Sequence, residues 1–292
     1  MRLGLHALGI GAGARRGVID AVAAAAETSG FRTLWSGEHV VMVDRPRSRY
    51  PYSGDGQIAV PATADWLDPL VGLSFAAAAT ERIRIATGVL LLPEHNPLLL
   101  AKQAATLDVL SGGRLVLGVG VGWSREEFVA LGVPFARRGE RADEYLQAMR
   151  ILWREDVASF AGEFVSFDEV RVNPKPIRHR QIPFVIGGNS DAALRRAAAY
   201  GDGWYGFNVA GVDAVRERIA TLERLCREAG REIGDLDLAV AVQGAQPSDL
   251  SDLSDAGVAE LVLVETPPED PRAAADWAAA LARRWSDAGA GA

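Results

Sequence analysis

Glu38-His39 is the pair of residues in this chain best suited to proton chemistry. An imidazole titrates near pH 6.5, and a neighbouring carboxylate can orient it or raise its basicity. The pair closes a short apolar segment, 31–37 (FRTLWSG), that reads as a strand. A histidine there can also be a hydrogen-bonded structural residue, so the pair alone leaves both readings open.

Other clusters offer backbone and flat surfaces rather than acids. Residues 115–128 read LVLGVGVGWSREEF, an apolar glycine-rich run that ends at Gly122-Trp123 and turns into an acidic segment. Glycines in a strand allow close approach of a backbone or a planar ligand, and a tryptophan at its end offers a stacking face. Thr87-Gly88-Val89 closes segment 83–91. A glycine there marks either a bulge held against a ligand or a simple kink. Gly187-Gly188-Asn189-Ser190 leads into a helix, as an anion site or as an ordinary capped turn. Trp204 follows Asp202-Gly203 and either stacks on a ligand or packs. Gly9-Ile10-Gly11-Ala12-Gly13 mimics a dinucleotide fingerprint with Glu38 as its ribose acid, but the glycine spacing is imperfect. His6, His39, His95 and His179 show no ligand spacing, so no metal is expected, and no G-x-S-x-G elbow is present.

The elements that must position these residues alternate. Strand-like segments fall at 2–8, 31–37, 83–91, 115–121, 182–187, 203–207, 236–242 and 259–265, separated by helical stretches. Asp68-Pro69 and Asn96-Pro97 are N-caps followed by proline, the first run ending near Thr80 and the second at Gly112-Gly113. Further helices read at 191–200, 212–229 and 271–287. Eight such units predict an α/β fold: a single (β/α)8 TIM barrel over residues 1–292, with insertions after strands 2 and 4. An open doubly wound sheet is the alternative. The first insertion, 40–66, reads as a lid carrying Arg45, Arg47, Arg49, Tyr50 and Tyr52. The second, 124–181, carries a helix at 138–154 and a hairpin around FAGEFVSF.

Composition narrows the partners. The chain has 292 residues, a net charge of −7 and 49% hydrophobic residues, enough for a large core. The acidic balance argues against nucleic acid and anionic membranes, and no apolar run approaches the roughly 20 residues of a spanning helix. The opening MRLGLHALGIGAGA faintly resembles a signal peptide but reads equally well as a barrel strand. Lysine occurs only at Lys102 and Lys175, an arginine bias typical of a GC-rich genome. The lone Cys226 excludes an internal disulfide. A cytoplasmic homodimeric enzyme acting on a small molecule is expected.

Taken in order, LWSGEHVV, ATGVLLLPEHNP, LDVLSGGRLVLGVGVGWSREEF and PFVIGGNSDAALRRAAAYGDGWYG resemble the bacterial luciferase-like monooxygenase superfamily. They look most like its deazaflavin branch, the coenzyme F420-dependent oxidoreductases, from residue 2 to about 285. The resemblance implies a barrel with the cofactor ring in its mouth, and a cofactor phosphate at Gly187-Gly188-Asn189. It implies a non-prolyl cis bond near Gly88-Val89, bulging against the ring. It places His39, with Glu38 beside it, near the reactive centre. Thr87, Gly122, Trp123 and Trp204 join the expected cofactor contacts. Sugar-phosphate dehydrogenases of this branch carry glutamate where this chain has Trp123, so their substrate is not implied. The segment 243–258 also looks short, which would leave the pocket more open. The alternatives are FMN with oxygen activation, and a barrel that binds cofactor without turnover.

Overall fold

Eight parallel strands close on themselves in the computed structural model, which describes residues 1–289; residues 290–292 of the expected 1–292 domain lie outside the described residues. They are β1 (Arg2–Leu8), β2 (Thr33–Ser36), β3 (Arg84–Thr87), β4 (Leu115–Gly120), β5 (Phe184–Gly187), β6 (Gly203–Val209), β7 (Asp237–Val242) and β8 (Glu260–Val264). Each strand pairs in parallel with its successor, and β8 returns to β1 with Arg2 opposite Glu260. This is the predicted TIM barrel; the closure excludes the open doubly wound sheet and the dinucleotide reading of Gly9–Gly13.

The helices are α1 (Arg16–Thr28), α2 (Pro69–Ala78), α3 (Pro97–Leu110), α4 (Arg125–Ala130), α5 (Arg138–Arg154), α6 (Asp191–Tyr200), α7 (Gly211–Glu228), α8 (Leu250–Asp255) and α9 (Pro271–Gly289). The caps read from sequence at Asp68 and Asn96 are made, Asp68 accepting from Val71 N and Asn96 from Leu98 N and Leu99 N; the turn before α6 is capped by Ser190, which accepts from Ala193 N. Aliphatic side chains of strands and helices fill the outer layer. The barrel interior holds Trp35, Ala86, Val116, Val185, Tyr205, Ala239, Ala241 and Val262. Trp35 stacks on Tyr205 at 4.6 Å between ring centroids and donates to buried Glu260 at 2.8 Å. Two such rings need small residues around them: a Cβ on Gly118 would meet the Thr87 carbonyl.

Three local features differ from the sequence reading. The expected strand 83–91 is interrupted at Gly88–Val89, where the cis peptide that the resemblance implies is present, and resumes as Leu90–Leu91 beside Val119 and Gly120. The second insertion holds α4 as well as α5, with antiparallel hairpin arms Ala158–Ala161 and Ser166–Val170. The segment 243–258 contains the short α8. Cys226 is buried, as a packing residue.

Candidate active site

The first insertion is folded across the C-terminal mouth of the barrel and bonded to three of its loops. At its distal end, Leu67 N donates to Gly9 O and Gly11 N to Asp65 O, so the Gly9–Gly13 segment anchors the lid. Arg47 N and Ser48 N donate to the Glu126 carboxylate, at 2.7 and 3.2 Å. Asn208 Nδ2 donates to Tyr52 O at 2.7 Å. Lid aromatics continue these contacts: Tyr50 meets Trp123 at 5.3 Å, Tyr52 meets Phe207 at 5.5 Å, and Trp66 meets His39 at 4.8 Å. Burial raises the hydroxyl pKa of Tyr50 and Tyr52, so both stay protonated. The lid arginines Arg45, Arg47 and Arg49 stand exposed.

His39 and Glu38 take different partners from those expected. His39 Nδ1 lies 2.7 Å from Glu127 Oε2, with both side chains nearly buried, at 7% and 1% exposure. The other Glu127 oxygen accepts from Val40 N at 2.8 Å and Val41 N at 3.3 Å, so one carboxylate orients the imidazole and ties down the base of the lid. Glu38 turns to the other side. It accepts from Leu91 N at 2.6 Å and meets His95 Nε2 at 3.0 Å. The expected Glu38–His39 pair is therefore corrected to two pairs, His39–Glu127 and His95–Glu38, because successive residues leaving a strand point apart. Burial lowers the His95 pKa, but the hydrogen bond and charge of Glu38, with Asp68, outweigh it and raise the value.

Glu94 sits between these pairs. Both its carboxyl oxygens are buried, and among the described residues neither has a hydrogen-bond partner. Oε1 lies 3.3 Å from where a side chain on Gly122 would begin. Burial, reinforced by the charges of Glu127 and Glu38, pushes its pKa up to about 9. Below the mouth, His6 Nδ1 lies 3.2 Å from the Tyr205 hydroxyl, and burial pulls the His6 pKa down to about 4, so this ring is neutral.

The sequence model of luciferase-like monooxygenases matches residues 5–246. The chain belongs to that family. An uncharacterized protein of Mycobacterium tuberculosis is 38% identical over 249 residues, covering 85% of this chain and 87% of its own. Among solved structures, the coenzyme F420-dependent tetrahydromethanopterin reductase of Methanopyrus kandleri superposes with a TM-score of 0.75 at 16% identity, covering 98% of each chain. The oxygenating constituent of 3,6-diketocamphane monooxygenase from Pseudomonas putida, a type II Baeyer-Villiger monooxygenase in complex with FMN, gives 0.60 at 18% identity, covering 81% of this chain and 64% of that one. At these identities the two structures share the fold with this chain. The family assignment makes the protein one of the luciferase-like oxidoreductases and monooxygenases; both F420 and FMN occur among its structural neighbours.

Within this luciferase-like barrel the expected cofactor contacts separate into two groups. Gly122 and Trp123 stand at the mouth with His39, and Gly88–Val89 at the break after β3. Trp123 meets His39 at 5.7 Å, and a Cβ on Gly88 would lie 3.2 Å from His6 and Trp35. The Gly187-Gly188-Asn189 turn stands at the start of α6 under the lid, where a Cβ on Gly188 would come 3.4 Å from the Tyr52 hydroxyl. Side chains of the remaining residues are committed elsewhere. The Asn189 amide is spent on Phe207, donating to its O and accepting from its N. Thr87 is fully buried and donates to Gly118 O at 2.6 Å. Trp204 is corrected from a stacking face to a packing residue: it is fully buried behind the turn and its indole donates to Gly188 O at 2.8 Å. A side chain on Gly187 would strike Val89, so that glycine serves the fit between β5 and the bulge.

Sequence reasoning missed Glu94, His95, Glu127 and His6. Glu127 lies three residues after Ser124, the spacing of a helix-capping box, and Glu127 N does bond Ser124 Oγ. That local role hid the long-range one. Glu94 sits beside Pro93 in what reads as a turn, where an acidic side chain ordinarily faces water. Among the described residues no cluster could hold a metal ion, and no helix is long and apolar enough to cross a membrane.

Proposed function

We propose that the chain is an F420-dependent oxidoreductase that transfers hydride between the deazaflavin and a small organic substrate. The observation that carries this reading is the nearly buried His39–Glu127 pair at an aromatic, lidded mouth, close to the Gly88–Val89 break. The ordered motif set, and the F420-dependent reductase among the fold relatives, support the choice of cofactor.

The residues present fit a planar cofactor with a phosphate-bearing tail. Gly88 and Val89 would meet the ring, with Gly122 and Trp123 at its edge. The Gly188 turn leaves a cradle that a side chain would fill. The Gly188 amide is used by Tyr205 O, so the following amides of the turn would hold the phosphate at the N-terminus of α6. Asp191, in the first turn of that helix, is paired with Arg218, which offsets its repulsion of an anion. When bound, the deazaflavin supplies a hydride carrier that reacts poorly with oxygen. The protein supplies position, exclusion of water and a proton. Glu127 holds His39 by Nδ1, which leaves Nε2 to exchange a proton with substrate. The lid keeps water from the reacting atoms. The same reading makes the protein a cytoplasmic homodimer with no nucleic-acid or membrane partner.

FMN in this mouth would make it a monooxygenase site, and binding without turnover would make it a carrier. Mixing the protein with reduced F420 and a panel of carbonyl and unsaturated compounds, without oxygen, tests the reading. Reoxidation of the deazaflavin by a panel member supports it. Turnover only with reduced FMN and oxygen, or binding with no turnover under either condition, sinks it.

A further inference from the structure

A buried carboxyl with no partner on either oxygen is costly as an anion, and in a folded chain it calls for a role. Glu94 has two further carboxylates for neighbours, Glu38 and Glu127, each already paired with a histidine. The charged groups that act on it are Glu127 on α4 and Glu38 just after β2, whose partners are His39 and His95. Arg138 of α5 lies beyond Gly122 and is bonded to that residue's carbonyl at 3.0 Å. No cation among these is left over for Glu94. An acid so placed keeps its proton at neutral pH, and a protonated carboxyl has one hydrogen to give.

The walls of the mouth limit what could receive it. Trp66, Trp123, Tyr50, Tyr52 and Phe207 form a continuous chain of edge contacts running through His39. The lid arginines are exposed, Arg125 lies over the Phe135 ring, and Arg138 lies over the same ring with its Nε spent on Gly122 O. An anionic substrate would meet aromatic rings and paired acids along this wall. A flat neutral molecule would stack on the rings and meet a single strong donor.

We propose that the mouth takes a neutral, planar substrate bearing a carbonyl group, and that Glu94, as an un-ionised carboxylic acid, donates a hydrogen bond to that carbonyl oxygen. The inference rests on the hydride-transfer reading and names its substrate class. A carbonyl that accepts this bond is polarised, so its carbon, or the alkene carbon conjugated to it, becomes a better hydride acceptor.

Infrared difference spectroscopy of the protein against Glu94→Gln tests the first half without any cofactor. At pH 7 the parent should show a buried carboxylic-acid C=O band that the variant lacks, fading with a midpoint near the raised value of about 9. A carboxylate signature for Glu94 at pH 7 overturns the proposal. For the second half, the cofactor-loaded protein is given cyclohex-2-enone or, as a probe without a carbonyl, cyclohexene. The acid band should move to lower frequency with the enone and stay put with the alkene. A band unmoved by the enone overturns the donor role. Failure of the protein to bind F420 or FMN at all is a separate result: it removes the functional reading, while the cofactor-free band still decides the state of Glu94.

Discussion

Changing His39 to alanine should lower turnover by roughly 10²–10⁴, the usual scale for loss of a general acid or base. Cofactor affinity should move far less. Glu127→Gln should act in the same direction through His39, and it should also loosen the lid, because Glu127 accepts from Val40 N and Val41 N. Steady-state kinetics with separate cofactor titration check both; normal turnover in His39→Ala leaves the imidazole a structural residue. Gly188 carries a second prediction. Its φ is +118°, a conformation that side chains avoid, and a Cβ there would come within 3.0 Å of Ala193. Gly188→Val should therefore weaken cofactor binding and lower the melting temperature of the cofactor-free protein, by a strain on the order of 1–3 kcal/mol. An unchanged melting temperature would contradict the backbone argument. His6 supplies a pH dependence. Its pKa is about 4 in the folded chain against 6.5 for a free imidazole, so the unfolded chain binds the proton more readily. Stability should thus fall as pH drops from 6.5 towards 4, by up to about 1.4 kcal/mol per unit. His6→Asn should flatten that limb in denaturant titrations; an identical pH profile in the variant would show that His6 does not carry it.

The elements of the barrel were legible because the strands are short apolar runs and several helices begin at a capping residue followed by a helical run. Asp68 and Asn96 cap the helices the sequence assigned them. The site was legible only in part. Glu38 and His39 are adjacent in sequence, but their side chains leave the strand in opposite directions, and their partners lie 53 to 88 positions away. Such pairings are set by barrel closure, and single-sequence patterns carry no trace of them. The break after β3 was foreshadowed by Gly88 within an apolar run. The lid yields a prediction at this scale. Replacing residues 45–54 with a short glycine-serine linker removes Tyr50, Tyr52 and the Ser48 contacts to Glu126 and Arg125, yet leaves the Asp65–Leu67 anchor on the Gly9–Gly13 segment. The barrel should stay folded and still bind cofactor, while the apparent KM rises. Unchanged kinetics would move the specificity determinants to the second insertion.

At the scale of the whole molecule, a closed parallel barrel gathers the ends of eight strands at one mouth, where side chains distant in sequence can serve one ligand. Here the interior is filled beneath that mouth by Trp35, Tyr205 and neutral His6, and covered above it by the lid. Between them lie two histidine–glutamate pairs, one un-ionised acid and a backbone floor of glycines. This division fits chemistry in which a bound ring carries the electrons and the protein manages protons. The fold itself serves both deazaflavin and flavin relatives, so the cofactor must be read from binding. The most direct measurement is a titration of the cofactor-free protein with F420 and with FMN under the same conditions, together with the mass and spectrum of any cofactor that copurifies. The account predicts saturable binding of F420, a copurifying species with the mass and absorption of a deazaflavin, and much weaker binding of FMN. Tight binding of FMN with none of F420 would contradict it.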